Sequence, residues 1–379
     1  MTVKRILKGK PMNTEKLFEA VNLGNLSLKN RTVMAPMTRT FSPDNVPTPD
    51  VAAYYRRRAE GNVGLIITEG TCINHAGAHG YDRVPDIYGE KAMAGWKTVV
   101  DDVHAAGGKI APQLWHVGAV RKPGVGPNKE APAYSPSGLY KPGAENGVAM
   151  SQEDIDEVVA AFAQSALESK EAGFDAIEVH GAHGYLVDQF FWEGTNQRTD
   201  KYGGSLEKRC QFAVEIIQAI RKAVGDDFPI ILRFSQWKQQ DYDAKLANTP
   251  EELETFLSIL SDAGVDIFHA STRRFWVPEF EGSDLNLAGW TKKLTNKPVI
   301  TVGSVGLDTD FIGEGMTDLS GTSNPTGIEG LIERIENDEF DLVAIGRALL
   351  VDPQWLNKIR ENQLEDIKPF NKKALGSLS

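Results

Sequence analysis

The chain is poor in cysteine, has no long apolar run and carries no excess of positive charge. Its two cysteines, Cys72 and Cys210, lie far apart and form no CxxC pair. That excludes a readable disulfide framework and an iron–sulfur ligand set. A reducing compartment is the simplest home for such a chain, so a cytoplasmic location is expected. Lys4, Arg5, Lys8 and Lys10 crowd the N-terminus, but no apolar run of secretory length follows them. Nowhere does the sequence approach the about 20 apolar residues of a membrane span. A formal net charge of −11 argues against nucleic acid or an anionic membrane as partner. Gly-x-Gly-x-x-Gly follows none of the apolar runs, which weakens a doubly wound dinucleotide-binding fold.

What remains is an ordinary soluble composition, with 41% hydrophobic and 25% charged residues, enough for one large core. Residues 1–12 read as a loose extension, 13–365 as one folded unit and 366–379 as a C-terminal tail. Within the unit, helices and short apolar strands alternate, and their junctions repeat. Ala59-Glu60-Gly61, Ala105-Ala106-Gly107, Glu171-Ala172-Gly173 and Asp262-Ala263-Gly264 each precede an apolar run. Each reads as a helix closing on glycine before a strand. Ser151 with Asp154, and Thr249-Pro250 with Glu252, read as helix starts. Eight apolar strands are expected, near 32–37, 64–70, 109–114, 175–180, 229–234, 266–271, 298–303 and 341–346. Strands apolar on both faces and separated by helices imply a covered parallel sheet. Eight such units in about 320 residues fit a single (β/α)8 barrel, with a long Pro/Gly/Lys-rich excursion at 117–150 after strand three.

In such a barrel, chemistry sits at the C-terminal strand ends. The residues there are Thr38, Glu69, Gln113, His180, Arg233, Ser271, the Gly303-Ser304-Val305-Gly306 turn and Gly346-Arg347. Arg233 ends an apolar strand and delivers a permanent cation, for an anion or a neighbouring carboxylate. Glycine turns after strands seven and eight, beside Arg347, suit a phosphate held by backbone N–H groups. Strand four runs into His180-Gly181-Ala182-His183-Gly184-Tyr185. Gly181 and Gly184 are expected to turn the backbone sharply, so that two imidazoles and a phenol converge. Burying those groups without partners would cost several kcal/mol, so they are either a hydrogen-bonded structural set or a site. A planar, phosphorylated, redox-active ring such as FMN would use this whole collection of groups.

Several longer segments then carry a family resemblance. Arg31-Thr32-Val33-Met34-Ala35-Pro36-Met37-Thr38-Arg39, Pro47-Thr48-Pro49, Gln113-Leu114-Trp115, His180 to Leu186, and Asn196 to Ser205 together resemble the Old Yellow Enzyme family of flavin ene-reductases. The likeness spans about residues 14 to 360. It implies a (β/α)8 barrel with non-covalent FMN, reduced by NADH or NADPH, that reduces activated alkenes such as α,β-unsaturated carbonyls or nitro compounds. By that resemblance Pro36, Met37, Thr38, Gly70, Gln113 and Arg233 would line the flavin ring, and Gly303, Gly346 and Arg347 its phosphate. His180 and His183 would bind the substrate oxygen, Tyr185 would protonate Cα, and Tyr81 and Trp115 would shape the pocket. Small-molecule partners are implied, with a monomer or a homo-oligomer equally compatible. Phe370 is the tail aromatic that would reach the pocket, and segment 308–326 departs from the usual family wording.

Two other readings remain open at this level. His180 and His183 with a carboxylate would serve a metal-dependent barrel hydrolase, although a third ligand is not apparent and no metal is expected. A non-catalytic flavin-binding protein would use the same scaffold. Elsewhere, His75 and His79 with Glu69 offer a cation site, the blander alternative being a solvated loop. His104 and His116 read as ordinary positions, Arg56-Arg57-Arg58 as a solvated helix face, and Trp237, Phe275 and Trp276 as pocket wall or loop core.

Overall fold

The computed structural model describes residues 13–308 and 323–379. The expected loose extension 1–12 lies outside them, as does most of segment 308–326. Eight parallel strands close into a barrel. They are β1 Thr32–Met34, β2 Leu65–Cys72, β3 Lys109–Trp115, β4 Ile177–His183, β5 Ile230–Lys238, β6 Ile267–Ser271, β7 Val299–Val302 and β8 Leu342–Ile345. Each strand pairs with the next in sequence, and β8 returns to β1 through Val343↔Thr32. The eight expected strands and the (β/α)8 architecture are therefore those of the molecule.

Strand parity sorts the core into two compartments. Ile66, Ile110, Ile177, Val179, Leu232, Phe268 and Val343 point outward into the large cluster shared with the helices. Leu65, Ile67, Ala111, Ala176, Ile231, Ile267, Ile300, Leu342 and Ala344 point inward and form a second, smaller cluster. A short hairpin, Val21–Leu23 paired with Leu26–Leu28, adds Leu23, Leu26 and Leu28 to that inner cluster and plugs the lower end of the barrel. The inward side chains thus fill the bottom with apolar groups and leave the polar ones at the top.

The helix starts follow their sequence signals. Ser151 and Asp154 make a reciprocal capping box ahead of helix Gln152–Glu171. Thr249 accepts the Glu252 N–H ahead of helix Pro250–Ala263. At the other end of that helix Gly264 is left-handed at φ 118, as a glycine cap requires. Gly61 differs, with φ −76. A Cβ there would lie 1.8 Å from the Pro353 carbonyl oxygen, so close approach and not handedness is what demands glycine. The 117–150 excursion folds onto itself through two small pairings, Tyr134–Ser135 with Val148–Ala149 and Leu139–Lys141 with Ala144–Glu145. No helix among the described residues is long and apolar enough to cross a membrane. Both cysteines are buried as free thiols.

Candidate active site

Continuing the inward parity by two residues turns the apolar floor into a polar layer. Ala111 gives way to Gln113, Ala176 to Glu178, Ile231 to Arg233 and Ile267 to His269; one step higher stand Trp115, His180, Ser235 and Ser271. Glu178 and His269 are fully buried, and Gln113 and Arg233 nearly so. Glu178 joins them. Its Oε1 accepts the Gln113 side-chain amide at 2.7 Å, and its Oε2 lies 2.6 Å from His269 Nδ1. Gln113 therefore turns its N–H edge to Glu178, leaving its carbonyl oxygen outside that pair. Arg233 donates from Nη2 to Ser271 Oγ at 3.2 Å. Its Nε and the His269 Nε2 are buried with no hydrogen-bond partner among the described residues.

The histidines and the tyrosine of the β4 end do converge. The His180 ring centroid is 5.2 Å from that of His183 and 4.9 Å from that of Tyr185. The turn that achieves this differs from the expected one. Gly181 stays within the strand without a left-handed φ, and the reversal is carried by His183 at φ 64 and Gly184 at φ 77, beside a bulge. A left-handed non-glycine residue costs roughly 1–2 kcal/mol, so His183 must be held by its surroundings. It is: Trp237 stacks on its ring at 4.4 Å, and Ser271 Oγ lies 2.7 Å from its Nε2. That one hydroxyl therefore touches both Arg233 and His183. The Ala182 N–H points to His180 Nδ1 at 3.3 Å, which leaves Nε2 to carry the proton of a neutral ring. Burial, reinforced by the Arg233 cation, holds both imidazoles well below their usual pKa. Burial likewise pushes the Tyr185 phenol well above its usual value, with Tyr81 and Gln239 against its hydroxyl. Tyr81 and Trp115 wall the space. They stack on each other at 5.9 Å, and Tyr185 meets Trp115 edge-on at 5.0 Å.

Around the other side of the mouth, Pro36, Met37 and Thr38 are half-buried on the loop after β1. Glu69 anchors that loop by accepting the N–H groups of Arg39 and Thr40 at 2.8 and 3.3 Å. Burial raises the Glu69 carboxyl to about 7. Gly70 has no room for a side chain, since a Cβ would lie 2.3 Å from the Trp115 ring. Gly303 is likewise closed. At φ 148, its Cβ would sit 2.7 Å from Thr272 Oγ1 and 2.9 Å from the backbone nitrogens of Arg274 and Phe275. Arg347 joins this corner by donating to Ser304 Oγ at 3.2 Å and Ser323 Oγ at 3.3 Å, with its guanidinium over Phe370. Gly346 is different again, with φ −101 and nothing nearer to a Cβ than Met37 Sδ at 3.6 Å. Phe370 is buried by backbone pairing with Ser323.

Three minor expectations are corrected. His75 and His79 are not a solvated loop. His79 is 2% exposed and lies 2.8 Å from Asp86, and His75 lies 2.9 Å from the buried His116. Arg58 is not on a solvated face. It is fully buried, donating to the carbonyls of Tyr54, Leu349 and Leu350 and lying over the Tyr54 ring. Trp276 is neither wall nor core, at 41% exposed. No group of three His, Cys, Asp or Glu side chains among the described residues has the arrangement of a metal site. Sequence reading passed over Glu178, His269, Asp188 and Lys238 as functional groups. The signal for the first two was parity, because Glu178 and His180 share a strand face.

Comparison with known proteins gives the chain its relatives. Residues 16–322 match the profile of the NADH:flavin oxidoreductase / NADH oxidase family. An NADH oxidase of Thermoanaerobacter brockii is 35% identical over 361 residues, covering 93% of this chain and 52% of that protein. 12-Oxophytodienoate reductase 1 of Oryza sativa subsp. japonica is 42% identical over 215 residues, covering 55% of this chain and 56% of the relative. The chain thus spans about half the length of each of these curated relatives. Among solved structures, morphinone reductase in complex with tetrahydroNAD superposes with a TM-score of 0.78 at 30% identity, over 95% of this chain and 93% of that one.

Proposed function

The chain belongs to the NADH:flavin oxidoreductase / NADH oxidase family, that of Old Yellow Enzyme, and from that premise we propose that it is an NAD(P)H-dependent ene-reductase. The observation that carries the proposal is the meeting of two neutral imidazoles and a protonated phenol over Arg233 and Gln113. The residues fit FMN on their own chemistry. Gln113 and Thr38 offer hydrogen-bonding groups to the polar edge of a ring, and Arg233 brings a buried cation whose Nε has no partner among the described residues. Gly303 makes a close backbone turn, with the Arg274 and Phe275 N–H groups packed against it, and Arg347 stands beside it. Bound FMN, reduced by NADH or NADPH, would supply the hydride that adds to the β-carbon of an activated alkene.

The chain's own groups do the remainder. His180 and His183 direct N–H donors at the carbonyl or nitro oxygen of the substrate, where negative charge grows as the alkene is reduced. Being neutral, each imidazole polarises that oxygen without surrendering a proton to it. Tyr185 delivers the proton to the α-carbon. Its raised pKa keeps the phenol protonated throughout the neutral range. Trp115, Tyr81 and Trp237 exclude water around these groups. Pro36, Met37 and Gly70 would line the ring, and Gly346 would hold the phosphate together with Gly303 and Arg347.

An anaerobic two-step spectrum tests the proposal. The purified holoprotein is mixed with NADPH, or with NADH, and then with cyclohexenone. Bleaching of a flavin band followed by its return on adding the enone is expected. A protein that is colourless, or bleaches and never recovers, contradicts it.

A further inference from the structure

The turn that presents His183 and Tyr185 is gripped from behind by two charges that the proposed reaction does not use. Lys238 and Asp188 are both fully buried, and Lys238 Nζ meets Asp188 Oδ1 at 2.6 Å. The other carboxylate oxygen, Oδ2, accepts the Gly184 N–H at 2.7 Å. The Gly184 carbonyl accepts the side-chain amides of Gln189 and Gln240 at 2.7 and 2.9 Å. His183 is held in the same way, its N–H by Ser235 Oγ at 2.9 Å and its carbonyl by the Gln239 N–H at 3.2 Å. Every backbone hydrogen-bonding group of His183 and Gly184 is therefore held by β5, by the residues just after it, or by helix Leu186–Phe191. Lys238 ends the same strand that carries Arg233.

A buried ion pair is a poor strut. Desolvation consumes most of what the charges gain from each other, and a well-packed apolar pair of the same volume is often as stable or more so. What an apolar pair cannot do is accept the Gly184 N–H. That bond falls between two successive left-handed residues, one of them not glycine. Such backbone persists only where its neighbours over-determine it.

We propose that Asp188 is a positioning residue for the reduction: its Oδ2 pins the Gly184 peptide and so sets how the His183 imidazole and the Tyr185 hydroxyl stand relative to each other, while Lys238 serves to neutralise the buried carboxylate. The inference rests on the ene-reductase reading of the mouth. Both residues are fully buried behind the turn and act through it.

Two double variants separate the anchoring bond from the charges. Asp188→Asn/Lys238→Met keeps an oxygen acceptor for Gly184, whereas Asp188→Leu/Lys238→Met removes acceptor and charges together. Both are expected to fold and to retain FMN. Flavin reduction by NADPH should stay within about threefold of wild type in both, while reoxidation by cyclohexenone falls about tenfold to a hundredfold only in the leucine variant. Amide hydrogen exchange at Gly184 and Tyr185 should accelerate in the leucine variant alone. A folded, flavin-bound leucine variant with wild-type reoxidation and unchanged exchange overturns the proposal. Should that variant fail to fold, exchange in the wild-type holoprotein decides: protection of Gly184 equal to that of barrel amides is expected, and exchange as fast as an exposed turn contradicts the clamp. If cyclohexenone fails to reoxidise even the wild type, the ene-reductase reading falls while the exchange data still report on the clamp.

Discussion

The two halves of the barrel mouth are built from different materials. On the β3–β6 side a chain of side chains holds the polar layer. Gln113 rests on Glu178, Glu178 on His269, Arg233 on Ser271, and Ser271 touches His183. On the β7–β8 side the proposed recognition element is backbone, the turn of Gly303 at φ 148 and Ser304 at φ 48, with one arginine attached to it. A side-chain lattice can place donors, acceptors and a proton to a fraction of an ångström, and it suits groups whose charge changes during reaction. A glycine cradle has no such adjustment, and it suits a group that is simply held, such as a phosphate. The contrast implies that damage to the first half impairs chemistry and damage to the second impairs retention.

The sharpest way to break this division is Tyr185→Phe. Reduction of cyclohexenone should slow by about 10²–10⁴-fold, the usual worth of a positioned proton donor. Flavin bleaching by NADPH should be nearly unchanged. Stopped-flow traces of the two half-reactions check this, and an equal loss in both removes Tyr185 from the role of proton donor. Next in size comes Gly303→Val. The close contacts and the φ there should weaken FMN binding about tenfold to a hundredfold, by strain on the order of 1–3 kcal/mol. Flavin-fluorescence titration of the apoprotein measures it, and unchanged affinity would erase the contrast between the halves.

Much of this plan was legible in the chain because strand parity, helix caps and turn glycines are local. The eight strands, the caps at Ser151 and Thr249 and the meeting of His180, His183 and Tyr185 needed only neighbours in sequence. What escaped is non-local. Glu178 finds His269 across 91 residues and Asp188 finds Lys238 across 50, and nothing near either carboxylate announces its partner. Arg58 looked solvated beside Arg56 and Arg57, yet the carbonyls that hold it come from Leu349 and Leu350. Even in the histidine segment, glycine content misled. Gly184 is left-handed as expected, but its left-handed neighbour is His183 and not Gly181, because the side chains packed on His183 supply what its own φ costs.

A smaller effect sharpens the same comparison. Arg233→Ala removes a cation that sits between the halves, so it should both weaken FMN binding, by about tenfold, and lower the flavin's reduction potential, as the loss of a charge-assisted contact implies. Titration and a potentiometric scan report the two effects separately, and a change in neither places Arg233 outside the site. The smallest expected effect is a flat line. With the imidazoles held neutral and the phenol held protonated, alkene reduction should vary little between about pH 6 and 9, since the raised Tyr185 pKa keeps its proton in place until more alkaline pH. A rate that falls with a midpoint near pH 7 points to a different proton donor, Glu69 first among the titratable groups near the mouth.

The most direct measurement is a crystal structure of the protein with FMN bound. The account predicts the dye across the mouth, its phosphate at Gly303 and Arg347, its pyrimidine edge at Gln113 and Arg233, and one face turned to His180, His183 and Tyr185. A dye whose phosphate lies away from the β7–β8 turn, or whose open face is not overlooked by those three rings, would contradict it.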